Sequence, residues 1–200
     1  MTLLQRAQNL IIAEESAKLF FERSINEVTI KDIATHIGIG EATIYRRYKN
    51  KYNIVLLVAN YLQEKIISEH FDVSKGNSGF DKIAIFYNSF LDIFKSNSAY
   101  YRFINEFDAF ITLNSDGEME AYEKGIESFK VLFDQCYEEA IKDKSITPLE
   151  DKDTFYFATT HSLLGLCKKL ADKDVISQDA SHDKVKEIKV LIETILYRLK

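Results

Sequence analysis

The residues best placed to do chemistry lie between Val28 and Lys51, VTIKDIATHIGIGEATIYRRYKNK, and their chemistry is recognition rather than bond making. Between Thr43 and Tyr52 the four charged side chains, Arg46, Arg47, Lys49 and Lys51, are all positive. They form a local footprint for phosphate, or simply a solvated basic turn. What separates these readings is the structure that must carry them. Thr29 has the position of an N-cap and Asp32, three residues on, that of the capping-box acid. Ile33, Ala34 and Ile37 then supply an apolar face, and Gly38-Ile39-Gly40 breaks the helical pattern. A second helix from about Glu41 to Tyr48 keeps Ile44 inward while Thr43, Tyr45, Arg46 and Arg47 project from other sides. This spacing predicts a helix-turn-helix whose second helix enters a DNA major groove.

Other chemistries find no support in the chain. It has no GxSxG, no phosphate loop and no zinc-ligand spacing, so no catalytic residue, metal site or cofactor is assigned and an enzyme is not expected. Cys136 and Cys167 are far apart in sequence and read as ordinary helix residues. His36, His70, His161 and His182 are scattered. The first residues are too polar for a signal peptide, and no apolar run approaches the ~18 residues of a membrane span, which predicts a cytoplasmic protein with no membrane partner. The net charge of -5 is unevenly divided. Residues 1–52 hold 8 Lys and Arg against 6 Asp and Glu, while the remainder holds 18 against 25. The acidity therefore belongs to the part that follows the helix-turn-helix.

Upstream, Leu10, Ala13, Ala17 and Phe20 recur at helical spacing, so Thr2 to about Arg23 should form one supporting helix. From Ile12 to Lys51 the sequence resembles the N-terminal domain of TetR/AcrR-family transcriptional regulators. The resemblance rests on Leu19-Phe20, Val28-Thr29-Ile30, Asp32-Ile33-Ala34, Gly38, Ala42-Thr43-Ile44-Tyr45, Tyr48 and Lys51. It implies that Thr29 and Lys31 touch the phosphate backbone and that Ala42, Thr43, Tyr45 and Arg46 face the groove. Ala42 and Thr43 would meet bases or a thymine methyl, and Arg46 would span O6 and N7 of guanine. Tyr45, Tyr48 and Lys51 would bond phosphate, although Tyr48 could equally pack against the first helix. The sequence departs from the family pattern at three places. Ser24 replaces a usual glycine, Gly40 replaces a serine and weakens the N-cap, and Glu41 brings a negative charge to the recognition helix. Glu41 either reaches a cytosine amino group or faces away as a partner of the helix dipole.

One proline and seven glycines in 200 residues predict long helices beyond the motif, about nine in the whole all-α chain. Asn50 should cap a helix from Lys51 to near Phe71. After the polar loop Asp72 to Gly79, Ser78 and Asp81 have capping-box spacing, as do Ser115 and Glu118. Thr147-Pro148-Leu149-Glu150 reads as another helix start. Seventeen of the chain's 25 aromatic residues fall between Phe80 and Phe157. Either they fill a bundle, or Phe86, Phe90, Phe103, Phe107, Phe110, Tyr122, Phe129 and Phe133 line an apolar ligand pocket, which the resemblance supports. Glu106 and Asp108 among them are surface residues or attract a cation. Phe155, Ser162 and Leu166, with Ile188, Leu191, Ile195 and Leu199, read as two helices of a four-helix interface completed by a second copy, or as packing within one chain.

These observations predict a helix-turn-helix domain over 1–50 and a ligand-binding and dimerisation bundle over 51–200. The expected partners are double-stranded DNA with a palindromic operator, a small, largely apolar effector molecule, and a second copy of the chain. The expected activity is ligand-responsive transcriptional regulation, of the repressor type. A helical interaction module of the same fold without sequence-specific DNA binding is the alternative.

Overall fold

The computed structural model describes residues 2–114, 119–172 and 181–200, and all regular structure within them is helical. Nine α-helices follow in order: α1 (Leu3–Glu22), α2 (Ile30–Ile37), α3 (Glu41–Tyr48), α4 (Lys51–His70), α5 (Gly79–Asn97), α6 (Ala99–Leu113), α7 (Glu120–Lys142), α8 (Lys152–Ala171) and α9 (Lys184–Tyr197). A short 3-10 turn, Val73–Lys75, lies in the expected loop. No helix among the described residues is long and apolar enough to cross a membrane.

The chain divides into two compact units, one of residues 1–65 and 102–125, the other of residues 66–101 and 126–200. In the first unit Ile25, Val28, Ile33, Ile44, Ile54, Val55 and Val58 form a dry core around Phe20. The α6 segment belongs to this unit: Phe103 stacks on Phe20 at 6.1 Å, and Arg102 donates to the carbonyl of Phe21. Leu10, expected inward, is 54 % exposed, because the stripe of α1 that is buried runs through Ile12, Ala13, Ser16, Ala17, Leu19 and Phe20. Ser24 adopts no left-handed conformation and its hydroxyl caps the turn at Glu27, so the family glycine is not needed here.

In the second unit α5, α8 and α9 pack together. Gly79 opens α5 against Ala140, where any Cβ would lie 2.1 Å from the Ala140 nitrogen. The free amides at this helix start are met by Asp143 and Ser145, as orphan helix N–H groups require. The expected boxes at Thr29/Asp32 and Ser78/Asp81 form, and Asn50 accepts from the Asn53 amide. The expected start at Thr147 does not. Asp151 caps α8 instead, while Thr147 bonds the carbonyls of Leu199 and Lys200, a long-range tie that local spacing does not reveal. Asp183 caps α9. The Ser115/Glu118 box falls outside the described residues. Cys136 and Cys167 are buried thiols, pushed up to about 11 and about 12 by burial, which leaves them protonated and unreactive at neutral pH.

Ser16 stands out in this core: its hydroxyl is enclosed without a hydrogen-bond partner. A buried unmet hydroxyl costs about 1–3 kcal/mol, and alanine is the better helix former. Ser16→Ala should therefore raise the free energy of unfolding by about 1 kcal/mol in a urea titration.

Candidate nucleic-acid interface

The helix-turn-helix is built from two locally determined ends. Thr29 accepts from the Asp32 amide at 3.1 Å, and Asp32 accepts from the Thr29 amide at 2.8 Å. The Thr29 hydroxyl, which donates to the same carboxylate at 2.7 Å, and then the Thr29 amide, with Arg23 nearby, lower the Asp32 pKa. At the other end Gly38 takes φ +77°, its amide bonds Thr35, and the Ile39 amide bonds Ala34. This paired pattern is the left-handed helix stop that glycine makes accessible. Gly40 then begins α3 without a side-chain cap; its carbonyl accepts from Thr43 and Ile44.

The helix α3 has eight residues and two contrasting faces. Ile44 and Tyr48 are buried on the inner one. The Tyr48 hydroxyl donates to Asn9 at 2.7 Å, and Arg47 donates to the Gln8 side chain at 2.7 Å and the Gln5 carbonyl at 2.9 Å. Gln5, Gln8 and Asn9, little more than one turn of α1, thus fasten α3. Ala42, Thr43, Tyr45 and Arg46 are exposed on the outer face, with Lys31 and Thr29 exposed at the start of α2. Glu41 is exposed too. The sequence could not divide Arg46 from Arg47, because their separation depends on where α1 lies. Of the expected contacts, Tyr48 has its ring in the core and its hydroxyl on Asn9. Lys51 is half-buried over the Phe110 ring, 3.4 Å from the Asn26 carbonyl, and burial lowers its pKa.

Lys49, one of the four basic residues of this stretch but given no contact by the resemblance, lies between these two in sequence. Lys49 has φ 64° and ψ −49°, and the Asn50 amide bonds the Tyr48 carbonyl at 2.7 Å across it. That is a γ-turn of the strained hand, and it leaves the Lys49 side chain exposed beside Arg46 in sequence.

Residues 12–58, from within α1 into α4, match the family described as "Bacterial regulatory proteins, tetR family". A TetR transcription regulator from Haloarcula marismortui superposes over 97 % of this chain and 97 % of its own, with a TM-score of 0.72 at 16 % identity. The family match is carried by residues 12–58, and the likeness to that regulator shows that the fold is shared over nearly the whole chain. The fold also matches the ketosteroid regulator KstR2 of Mycobacterium tuberculosis, with a TM-score of 0.67 at 14 % identity over 96 % of this chain and 95 % of that one. It matches FadR of Bacillus subtilis, determined in complex with stearoyl-CoA, with a TM-score of 0.65 at 15 % identity over 94 % and 98 %. No curated protein sequence matches.

The eight rings expected around a ligand fall into two sets. Phe103, Phe107, Phe110 and Tyr122 lie in the first unit: Phe107 meets Tyr122 at 4.8 Å and Phe110 meets Tyr52 at 6.4 Å. Phe86, Phe90, Phe129 and Phe133 lie in the second, gathered around Phe71 and Tyr156. Glu106 is neither free nor aimed at a cation, since it accepts from the Ile25 amide at 2.6 Å. Ile188, Ile195 and Leu199 are buried within the second unit, Leu191, Leu166 and Phe155 are half-buried, and Ser162 is exposed. The open faces of α8 and α9 carry Phe157, Ala158, His161, Val190, Thr194 and Tyr197.

The turn at Lys49 yields a direct check. A non-glycine residue in such a conformation costs about 1–3 kcal/mol. Lys49→Gly should raise stability in a urea titration by about 1 kcal/mol.

Proposed function

We propose that the chain is a homodimeric, ligand-responsive repressor that binds a palindromic operator. The observation that carries this reading is the bare outer face of α3, Ala42, Thr43, Tyr45 and Arg46, on a helix whose inner face is bonded to α1. Arg46 reads guanine, Ala42 and Thr43 meet neighbouring base edges, and Thr29, Lys31, Tyr45 and Lys51 hold phosphates, with Lys51 leaving the Asn26 carbonyl to do so. Tyr48 serves by packing, and Lys49 adds a phosphate contact. Glu41 acts as the dipole partner of α3.

Functionally, residues 1–50 read DNA and residues 51–200 take the effector and the second copy, although chain contacts group 51–65 and 102–125 with the helix-turn-helix. A second copy covers the open faces of α8 and α9, where Phe157, Val190 and Tyr197 are 48 %, 52 % and 82 % exposed. The two recognition helices then meet successive major grooves about 34–36 Å apart. The effector is a small, largely apolar molecule held among the rings; the FadR complex with stearoyl-CoA supports an apolar body for it. It lowers operator affinity as far as it distinguishes the DNA-competent state from the other.

Two sets of variants test this. Arg46→Ala should cost about 1–3 kcal/mol on the preferred site and relax specificity at one base, whereas Lys51→Ala should weaken all sequences alike and lower the salt slope by about 1. Equal loss from Arg46→Ala on every sequence would place Arg46 on phosphate. Phe157→Lys combined with Val190→Lys should give monomers in sedimentation with helix content unchanged; a surviving dimer would move the interface elsewhere. A flat, weak salt response on both random and selected DNA would favour the interaction module.

A further inference from the structure

A cleft of about 230 Å³ lies within the first unit, between α1, the turn that follows α2, and α3. Its body is aliphatic: Ile11 and Ile12 of α1, Ile37 and Ile39 on either side of Gly38, and Ile44 of α3. Ile11 is exposed and Ile37 and Ile39 are half-buried, so the space is reached from solvent. An apolar protein cavity of about 150 Å³ takes a benzene molecule. This cleft therefore has room for a single ring with a short substituent. None of the rings expected around a ligand lines it.

The polar edge of the cleft is one-sided in charge. Gln8, Thr43, Arg47 and Tyr48 complete the wall, with no acidic side chain among the described residues. The Tyr48 hydroxyl is spent on Asn9. Arg47 is half-buried, and both of its hydrogen bonds go to neutral acceptors, Gln8 Oε1 at 2.7 Å and the Gln5 carbonyl at 2.9 Å. No carboxylate pairs with it among the described residues. A guanidinium has more N–H donors than these two bonds use, set in a fork that fits a carboxylate. A partly desolvated cation without a counter-charge, at the rim of an apolar space, selects an anion with an apolar body over a neutral molecule of the same shape.

We propose that this cleft binds a small carboxylate whose body is a single apolar ring, the ring lying among the isoleucines and the carboxylate on Arg47. The consequence for regulation rests on reading α3 as the DNA-reading helix. Thr43 belongs both to the wall of the cleft and to the outer face of α3, so a molecule in the cleft competes with a base edge at Thr43.

The full chain, with its isoleucine methyl groups isotope-labelled, is titrated without DNA at neutral pH with 4-methylbenzoate, 4-methylbenzamide and acetate. 4-Methylbenzoate should shift the methyls of Ile11, Ile12, Ile37, Ile39 and Ile44 with a Kd of about 1 mM or tighter, and leave those of Ile188, Ile192 and Ile195 in place. The benzamide, which keeps the shape without the charge, and acetate, which keeps the charge without the ring, should each bind at least about tenfold more weakly. Arg47→Met should bring the benzoate down to the level of the benzamide, whereas Arg47→Lys should retain part of the preference. If Arg47→Met disturbs folding, the shifts and the ranking of the three probes in the unaltered chain decide alone. Benzamide or acetate binding as tightly as the benzoate, shifts confined to other isoleucines, or no binding would overturn the proposal. With 4-methylbenzoate at about ten times its Kd, affinity for a selected operator should fall about tenfold. Unchanged affinity would overturn the regulatory consequence, and failure to select any operator would end the DNA reading while leaving the methyl shifts as measured.

Discussion

A helix of eight residues does not hold together in water, because a single turn of hydrogen bonds scarcely offsets the cost of nucleating it. Recognition by α3 therefore depends on how α3 is clamped. Ile44 and Tyr48 give it a buried face, and Arg47 and the Tyr48 hydroxyl bond Gln5, Gln8 and Asn9 on α1. These bonds also decide which side chains are left over. Arg47 is committed within the chain, so Arg46 is the arginine of α3 that points out. The stop at Gly38 ends α2, and the γ-turn at Lys49 ends α3.

The rest of the chain supplies what such a small reading head lacks. A cationic patch this modest grips DNA weakly, and an acidic remainder opposes indiscriminate binding. Two heads at a set spacing multiply a weak grip, which is the role proposed for the open faces of α8 and α9. The rings expected around a ligand divide between the two units: one set packs on Phe20 and Tyr52, the other around Phe71 and Tyr156. Most of them are core.

What the sequence made legible was local. Capping boxes at Thr29 and Ser78, the Gly38 stop and the bounds of α3 depend on residues three or four apart, and they stand as expected. What escaped depended on distant neighbours. Thr147 was drawn from a helix cap to the carbonyls of Leu199 and Lys200. Glu106 was drawn to the Ile25 amide, and Ile188, Ile195 and Leu199 to the interior of their own unit. Periodicity identifies an apolar stripe without saying whether it meets the same chain or another.

The central claim, that two α3 helices read a symmetric site, is tested most directly by selecting DNA bound by the full chain from a random pool. The account predicts enrichment of a two-fold symmetric motif whose half-sites lie about one helical turn, or a multiple of it, apart. Recovery of an unenriched pool, or of a single half-site without a symmetric partner, would contradict it.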